Sequence, residues 1–233
     1  MIFPPFGAAP QRRPRAILFD WDNTLVDSWP TIHEARNFVM SAMGHPLRSL
    51  ADTKLSARLS LRDDFPRIFG ERWEEARTIY LDKVRAIHLE WLTPLPGRDA
   101  MLRALAAQDV FLGIVSNKIG EFLRREVDRL GWSGFFGSIV GAGDAAADKP
   151  ACEPVHLALA PSGIPAGEEV WFVGDTATDM ECARNSGCVG VLLGDPVSDE
   201  EFARFAPHLC FADEATLSRS VEGLRFDMAR PSS

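Results

Sequence analysis

Asp20 and Asp22 stand two residues apart behind the short apolar run Ile17-Leu18-Phe19, and Asn23 and Thr24 follow them. In extended chain, residues i and i+2 point to the same side. The two carboxylates can therefore face one site, one as nucleophile or metal ligand and the other as proton carrier. An Asp-rich turn after a strand is also an ordinary solvated turn or helix cap, and these residues alone do not separate the two readings. What separates them lies downstream, where three more polar clusters follow apolar runs in order. Ser116-Asn117-Lys118 comes after the run 110–115. Lys149-Pro150 comes after 138–140 and a Gly/Ala/Asp-rich loop, and Gly174-Asp175-Thr176-Ala177-Thr178-Asp179 comes after 170–173.

These clusters need a frame that brings distant chain ends together. Strand-like runs at 16–19, 110–115, 138–140, 170–173 and 189–193 alternate with helix-like segments at 97–108, 119–130, 153–160 and 178–186. Gly131 and Gly187 are fitting helix stops, and a last strand and helix fall at 208–211 and 213–223. Such alternation implies an α/β fold, a doubly wound parallel sheet. In that arrangement ligands sit at the carboxyl ends of the strands, where each polar cluster begins. The interval 28–95 breaks the pattern. It has no convincing strand, helical stretches near 29–43, 52–59 and 73–91, and breakers at Gly44-His45-Pro46, Pro66 and Gly70.

Composition narrows the function classes. The 233 residues suffice for one large or two small domains, and 46% are hydrophobic, enough for a sizeable core. A net charge of −8 argues against a broad nucleic-acid surface, while a small anion needs only local positive charge and a metal. No apolar stretch is long enough to span a membrane. Residues 1–14 carry Pro4, Pro5, Pro10 and Pro14, lack an apolar signal core, and read as a flexible tail. Cys152, Cys182, Cys188 and Cys210 lack zinc-type spacing and read as reduced core thiols of a cytoplasmic protein.

Taken in order, Asp20-Trp21-Asp22-Asn23-Thr24-Leu25-Val26-Asp27-Ser28, Ser116-Asn117-Lys118, Lys149-Pro150 and Gly174-Asp175 through Asp179 resemble the haloacid dehalogenase-like superfamily of phosphohydrolases. With Pro30 and Ile32, the opening segment is most similar to the phosphoglycolate phosphatase branch, and the likeness spans roughly residues 15 to 223. The resemblance implies a Rossmann-like core made of 15–27 and 96–233, with 28–95 as a helical cap hinged near Asp27-Ser28 and 94–97. It implies Asp20 as nucleophile, forming an aspartyl-phosphate, and Asp22 as general acid and then base. Dehalogenase members lack an acidic residue at the position of Asp22, which favours phosphate over halide chemistry. Mg²⁺ is the implied cofactor, held by Asp20, Asp175, the backbone carbonyl of Asp22, and Asp179 directly or through water. Ser116 would donate to a phosphoryl oxygen, and Asn117 would lie at a strand-to-helix turn where backbone N–H groups face an anion. Lys149 would neutralise charge shared by Asp20 and the phosphate, and Asn23 and Thr24 would supply polar groups to the phosphate loop. The implied partner is a small phosphorylated metabolite such as 2-phosphoglycolate, with no nucleic acid or membrane, in a monomer or homodimer.

The chain departs from the family pattern at Trp21, where Phe or Leu is usual, at Asn23, where Gly is usual, and at Ala151-Cys152-Glu153-Pro154, where Lys-Pro-x-Pro is commoner. Asn tolerates left-handed backbone, so the turn survives, and the extra residue shifts a helix start without touching Lys149. Other conspicuous residues take plainer readings. Trp73, Trp91, Trp132, Trp171 and Phe135-Phe136 read as packing, His33 as a hydrogen-bonded structural histidine, and Arg58, Arg62 and Arg67 as solvated charges able to bind a substrate carboxylate. Two competing functions share these residues. One is a phosphosugar mutase of the β-phosphoglucomutase type, marked by isomerised product with a bisphosphate activator. The other is a catalytically silent binding protein, which has no need of Asp22.

Overall fold

Ala16–Phe19 forms β1, and all four of its residues are fully buried, as a strand covered on both faces requires. In the computed structural model, residues 13–56, 61–194 and 202–224 are described; most of the expected N-terminal tail and Arg58 lie outside them. The strands after β1 are β2 (Val26–Asp27), β3 (Thr93–Pro94), β4 (Phe111–Ile119), β5 (Ser138–Ala142), β6 (Val170–Gly174), β7 (Val189–Leu193) and β8 (Leu209–Phe211). The helices are α1 (Trp29–Ala42), α2 (Leu50–Ser56), α3 (Leu61–Phe69), α4 (Trp73–Ile87), α5 (Arg98–Ala106), α6 (Gly120–Arg129), α7 (Glu153–Leu159), α8 (Ala177–Asn185) and α9 (Glu214–Gly223).

The main sheet runs β5-β4-β1-β6-β7-β8, with every neighbouring pair parallel. The chain leaves β1 for β4 on one side and later enters β6 on the other. The end of β1 is therefore the point at which strand order reverses and ligands bind in such sheets. Ala16, Leu18, Val115, Val140, Val155, Val170 and Phe172 share one apolar cluster with Cys182 and Cys188. Its burial makes the strand ends a rigid platform.

The chain divides into two compact units, one of residues up to Leu25 and from Pro94 onward, the other Val26–Thr93. The second is helical. Val39 and Met40 of α1, with Met43 just after it, pack with Phe65 and Phe69 of α3 and Ala76 of α4. The two chain connections run side by side as the two-stranded sheet β2-β3, continued by the Leu95 N–H donating to the Leu25 carbonyl at 3.0 Å.

Several local expectations need correction. Pro66 lies inside α3 rather than ending a helix. The apolar face of α3, carrying Phe65 and Phe69, outweighs the one backbone bond that proline removes. β3 is a strand in an interval that reads as strand-free. β4 runs to Ile119, four residues past the apolar run, with a register shift against β5 between Val115 and Ile119. Asn117 is therefore in a strand and not at a helix start. Phe135 and Phe136 are half-buried, Trp91 and Cys210 are exposed, and Cys152 is half-buried, so these residues are not core. The extra residue before Pro154 places the start of α7 at Glu153, with the proline in its first turn.

Candidate active site

Phe19 pairs with Ile114 of β4 and Val173 of β6, and the Asp20 N–H donates to the Val173 carbonyl at 2.8 Å. This register sets Asp20 beside Val115, which precedes Ser116 within β4, and beside Gly174, which precedes Asp175 at the end of β6. Asp20, Ser116 and Lys149 are buried, Thr24 and Asp179 completely so, while Asp22 and Asp175 keep partial access to water.

Lys149 is the hub. Its Nζ donates to Asp20 Oδ1 and to Asp179 Oδ1, both at 2.7 Å. Its backbone is clamped by Asn117, whose Oδ1 accepts from the Lys149 N–H and whose Nδ2 donates to the Lys149 carbonyl, each at 3.0 Å. Asn117 thus spends its amide on placing Lys149, a use that its sequence position did not suggest. Asp179 occupies the third position of α8, where Thr176 donates to Oδ2 from its N–H at 3.0 Å and its hydroxyl at 2.6 Å. The resulting capping box satisfies the first turn and turns the carboxylate back toward β6. Gly174 makes room for it, since a Cβ there would lie 2.4 Å from the Asp179 carboxyl carbon.

Thr24 is fully buried and its hydroxyl donates to Asp175 Oδ1 at 2.9 Å. Arg98, paired with Glu214 at 2.9 Å, holds the Thr24 carbonyl at 2.8 Å. Asn23 has φ 62°, the only positive φ of a non-glycine among the described residues. The left-handed turn expected there is present. The Ser116 hydroxyl oxygen accepts from the Lys118 N–H at 3.2 Å.

The electrostatics are unbalanced. Burial raises the Asp20 carboxyl to about 7, with Lys149 acting against the rise and Asp179 and Asp22 adding to it. Burial also pushes Asp175 well above the usual carboxylate range, helped by the charges of Asp179 and Asp20. For Lys149 burial acts downward, but Asp179 and Asp20 outweigh it and the net shift is upward. Oxygens of Asp20, Asp175 and Asp179 lie within 4.8 Å of one another. An all-oxygen, carboxylate-rich set with excess negative charge fits a hard divalent cation. Asp179 already gives one oxygen to Lys149 and the other to Thr176, which makes Asp20 and Asp175 the better direct donors.

Lys118 is the residue that reading the sequence for chemistry passed over. Its Nζ donates to Asp22 Oδ1 and to Glu126 Oε2, both at 2.7 Å. Burial lowers its pKa, yet Asp22 and Glu126 more than offset this, and the ammonium stays charged. One signal was available. Glu126 lies on the apolar face of α6 beside Phe122, Leu123 and Val127, and a buried glutamate requires a partner. In the helical unit His33 Nδ1 lies 2.9 Å from Thr53 Oγ1, consistent with a structural role. Arg67 is exposed, and the side chain of Arg62 lies outside what is described.

A parallel sheet with an acidic cluster and a buried lysine at its switch point has the donor set to hold a divalent cation where such sheets bind ligands. The chain belongs to the haloacid dehalogenase-like hydrolase family, which it matches over residues 17–192. It is 26% identical to a phosphoglycolate phosphatase of Pseudomonas savastanoi pv. phaseolicola, over 94% of this chain and 86% of the other. It is 30% identical to a phosphoglycolate phosphatase of Yersinia pestis, over 77% and 82%. Among solved structures, a HAD-superfamily hydrolase from Ehrlichia chaffeensis is 28% identical, with TM-score 0.63 over 91% of this chain and 98% of that one. A haloacid dehalogenase-like family protein from Streptococcus pneumoniae reaches TM-score 0.79 at 23% identity, over 89% and 97%, which speaks to fold alone.

Proposed function

We propose that this chain is a Mg²⁺-dependent phosphatase acting on a small phosphomonoester of the 2-phosphoglycolate type in the cytoplasm. The enzyme is a phosphoric monoester hydrolase. Its carrying observation is the buried Lys149 bridging Asp20 and Asp179 beside Asp175 at the end of β1.

An Asp20 carboxylate oxygen attacks phosphorus while the ester P–O bond breaks, and Asp22 gives its proton to the departing alkoxide. Asp22, now a carboxylate, takes a proton from water as that water attacks the aspartyl-phosphate. The P–O bond to Asp20 breaks, releasing phosphate and restoring both aspartates. Lys149 offsets charge between Asp20 and the phosphoryl oxygens, and the Ser116 hydroxyl donates to one of them. Asp20, Asp175 and the Asp22 carbonyl would hold Mg²⁺, with Asp179 contributing through water. When bound, the ion supplies positive charge at the phosphoryl oxygens. Thr24 and Asn117 act here by placing Asp175 and Lys149, and Asn23 by shaping the turn. The names of the relatives over most of this chain favour hydrolysis over return of the phosphate to a sugar.

The test is phosphate release from a phosphomonoester panel including 2-phosphoglycolate, with and without Mg²⁺. Wild-type release that needs Mg²⁺ and vanishes in Asp20→Asn is expected. Release from no member of the panel, or equal release by Asp20→Asn, overturns the reading.

A further inference from the structure

The proposed chemistry needs the Asp22 carboxylate held in one place, yet Asp22 lies beyond the end of β1 with its side chain 26% exposed. What holds it is a chain of buried groups. Lys118 Nζ binds Asp22 Oδ1 at 2.7 Å and Glu126 Oε2 at 2.7 Å. The same Glu126 oxygen accepts from Trp21 Nε1 at 2.6 Å. Because Trp21 and Asp22 are adjacent, the four side chains close a ring through their shared peptide bond. Each member is anchored. The Glu126 side chain is 1% exposed on α6. The Trp21 indole is fully buried and packs edge-on against Trp132 at 5.9 Å. Trp132 is tied in turn to Asp99 by a 3.0 Å bond from Nε1.

A buried lysine–glutamate pair adds little net stability over apolar packing, so fold stability alone is a weak reason for it here. Trp21 supplies a second argument. Its indole N–H is committed to Glu126 at 2.6 Å, a bond that a Phe or Leu side chain could not make.

We propose that Lys118, fixed by Glu126 and Trp21, is the positioning residue that aims Asp22 at the leaving-group oxygen. The inference rests on the phosphatase reading and refines it. Positioning of a general acid has a signature that a structural role lacks, because protonation matters in proportion to the basicity of the leaving group. The experiment measures kcat/KM with saturating Mg²⁺ on phosphomonoesters ranging from alkyl phosphates to dinitrophenyl phosphate. Lys118→Met is expected to slow the alkyl esters by about 100-fold and the dinitrophenyl ester by no more than about threefold. Lys118→Arg should restore most of the alkyl rate. In an Asp22→Asn background, Lys118→Met should cost nothing further.

Equal losses across all leaving groups, an unchanged alkyl rate, or a full further loss in the Asp22→Asn background overturns the proposal and leaves the phosphatase reading standing. A wild type inactive on every ester overturns that reading instead. Should Lys118→Met strand Glu126 and fail to fold, Lys118→Met/Glu126→Gln removes the stranded charge and is read in the same way. Trp21→Phe deletes only the indole donor and must show the same selectivity at about threefold.

Discussion

Arg36 with Asp64 in the helical unit, and Lys149 with its aspartates in the sheet unit, are both buried clusters of charge, but they are balanced differently. Arg36 and Asp64 pair at 2.5 Å, one cation to one anion, and Ser56 accepts a further guanidinium bond at 3.2 Å. The two charges cancel within the pair, although Arg36 Nε is buried without a hydrogen-bond partner. At the end of β1, three carboxylates surround one lysine, and burial with mutual repulsion drives two of them upward. Folding alone balances the charge of the first cluster. The second carries an excess of negative charge that only a proton or a bound cation relieves. A buried cluster that is left unbalanced marks a site, whereas a balanced one marks structure.

The contrast is open to attack. Breaking the balanced pair should act on stability alone. Arg36→Met leaves Asp64 buried and unpaired and is expected to lower stability by about 3–5 kcal/mol in denaturant unfolding, with kcat of the folded fraction unchanged. Arg36→Met/Asp64→Leu should recover much of the loss. A kcat that falls with Arg36→Met would show that the helical pair is not purely structural. In the sheet unit, Gly174→Ala is expected to cut kcat/KM by about 100-fold with a smaller effect on folding, because the new methyl meets Asp179 and not the backbone.

A gentler test uses pH. Asp20 is raised from 3.8 to about 7 in the fold. Its contribution to metal-free stability is therefore full below about pH 4 and is lost as pH rises through about 7. Lys149, Asp179, Asp22 and Asp175 are the charged groups that set this window. Protons and cation compete for the same oxygens. The rise in Tm on adding Mg²⁺ should thus be larger at pH 8 than at pH 6, and it corresponds to a stabilisation of about 2.7 kcal/mol when the ion is at 100 times its Kd. A Tm increment that is flat over this range, or absent, would count against a metal on these aspartates. The smallest effect is expected at the turn. Asn23→Ala should cost about 1 kcal/mol by forcing an ordinary side chain into φ 62°, while Asn23→Gly should leave stability nearly unchanged in the same unfolding assay.

Much of this was visible in the chain. The run ending at Phe19 and the clusters at Asp20, Ser116, Lys149 and Asp175 are local patterns, since a buried parallel strand needs continuous apolar residues and its polar extension marks the strand end. α3 was obscured because Pro66 reads as a breaker, while the apolar face that overrides it is recognised only against α1 and α4. The length of β4 was misjudged because Ser116, Asn117 and Lys118 are polar, and their extended backbone is imposed by the neighbouring strand rather than by their own preferences.

The sequence by itself determined the strand-and-helix alternation of the sheet unit, its doubly wound class and the placing of carboxylates after the apolar runs 16–19 and 170–173, because these depend on periodicity and on residue type at fixed spacing. Only the tertiary structure decided which groups hold them. Asn117 clamps Lys149 from 32 positions away, Thr24 reaches Asp175 across 151, and Lys118 reaches Asp22 across 96. Hydrogen bonds over such separations form only when the sheet sets the strand ends side by side. No local pattern encodes them.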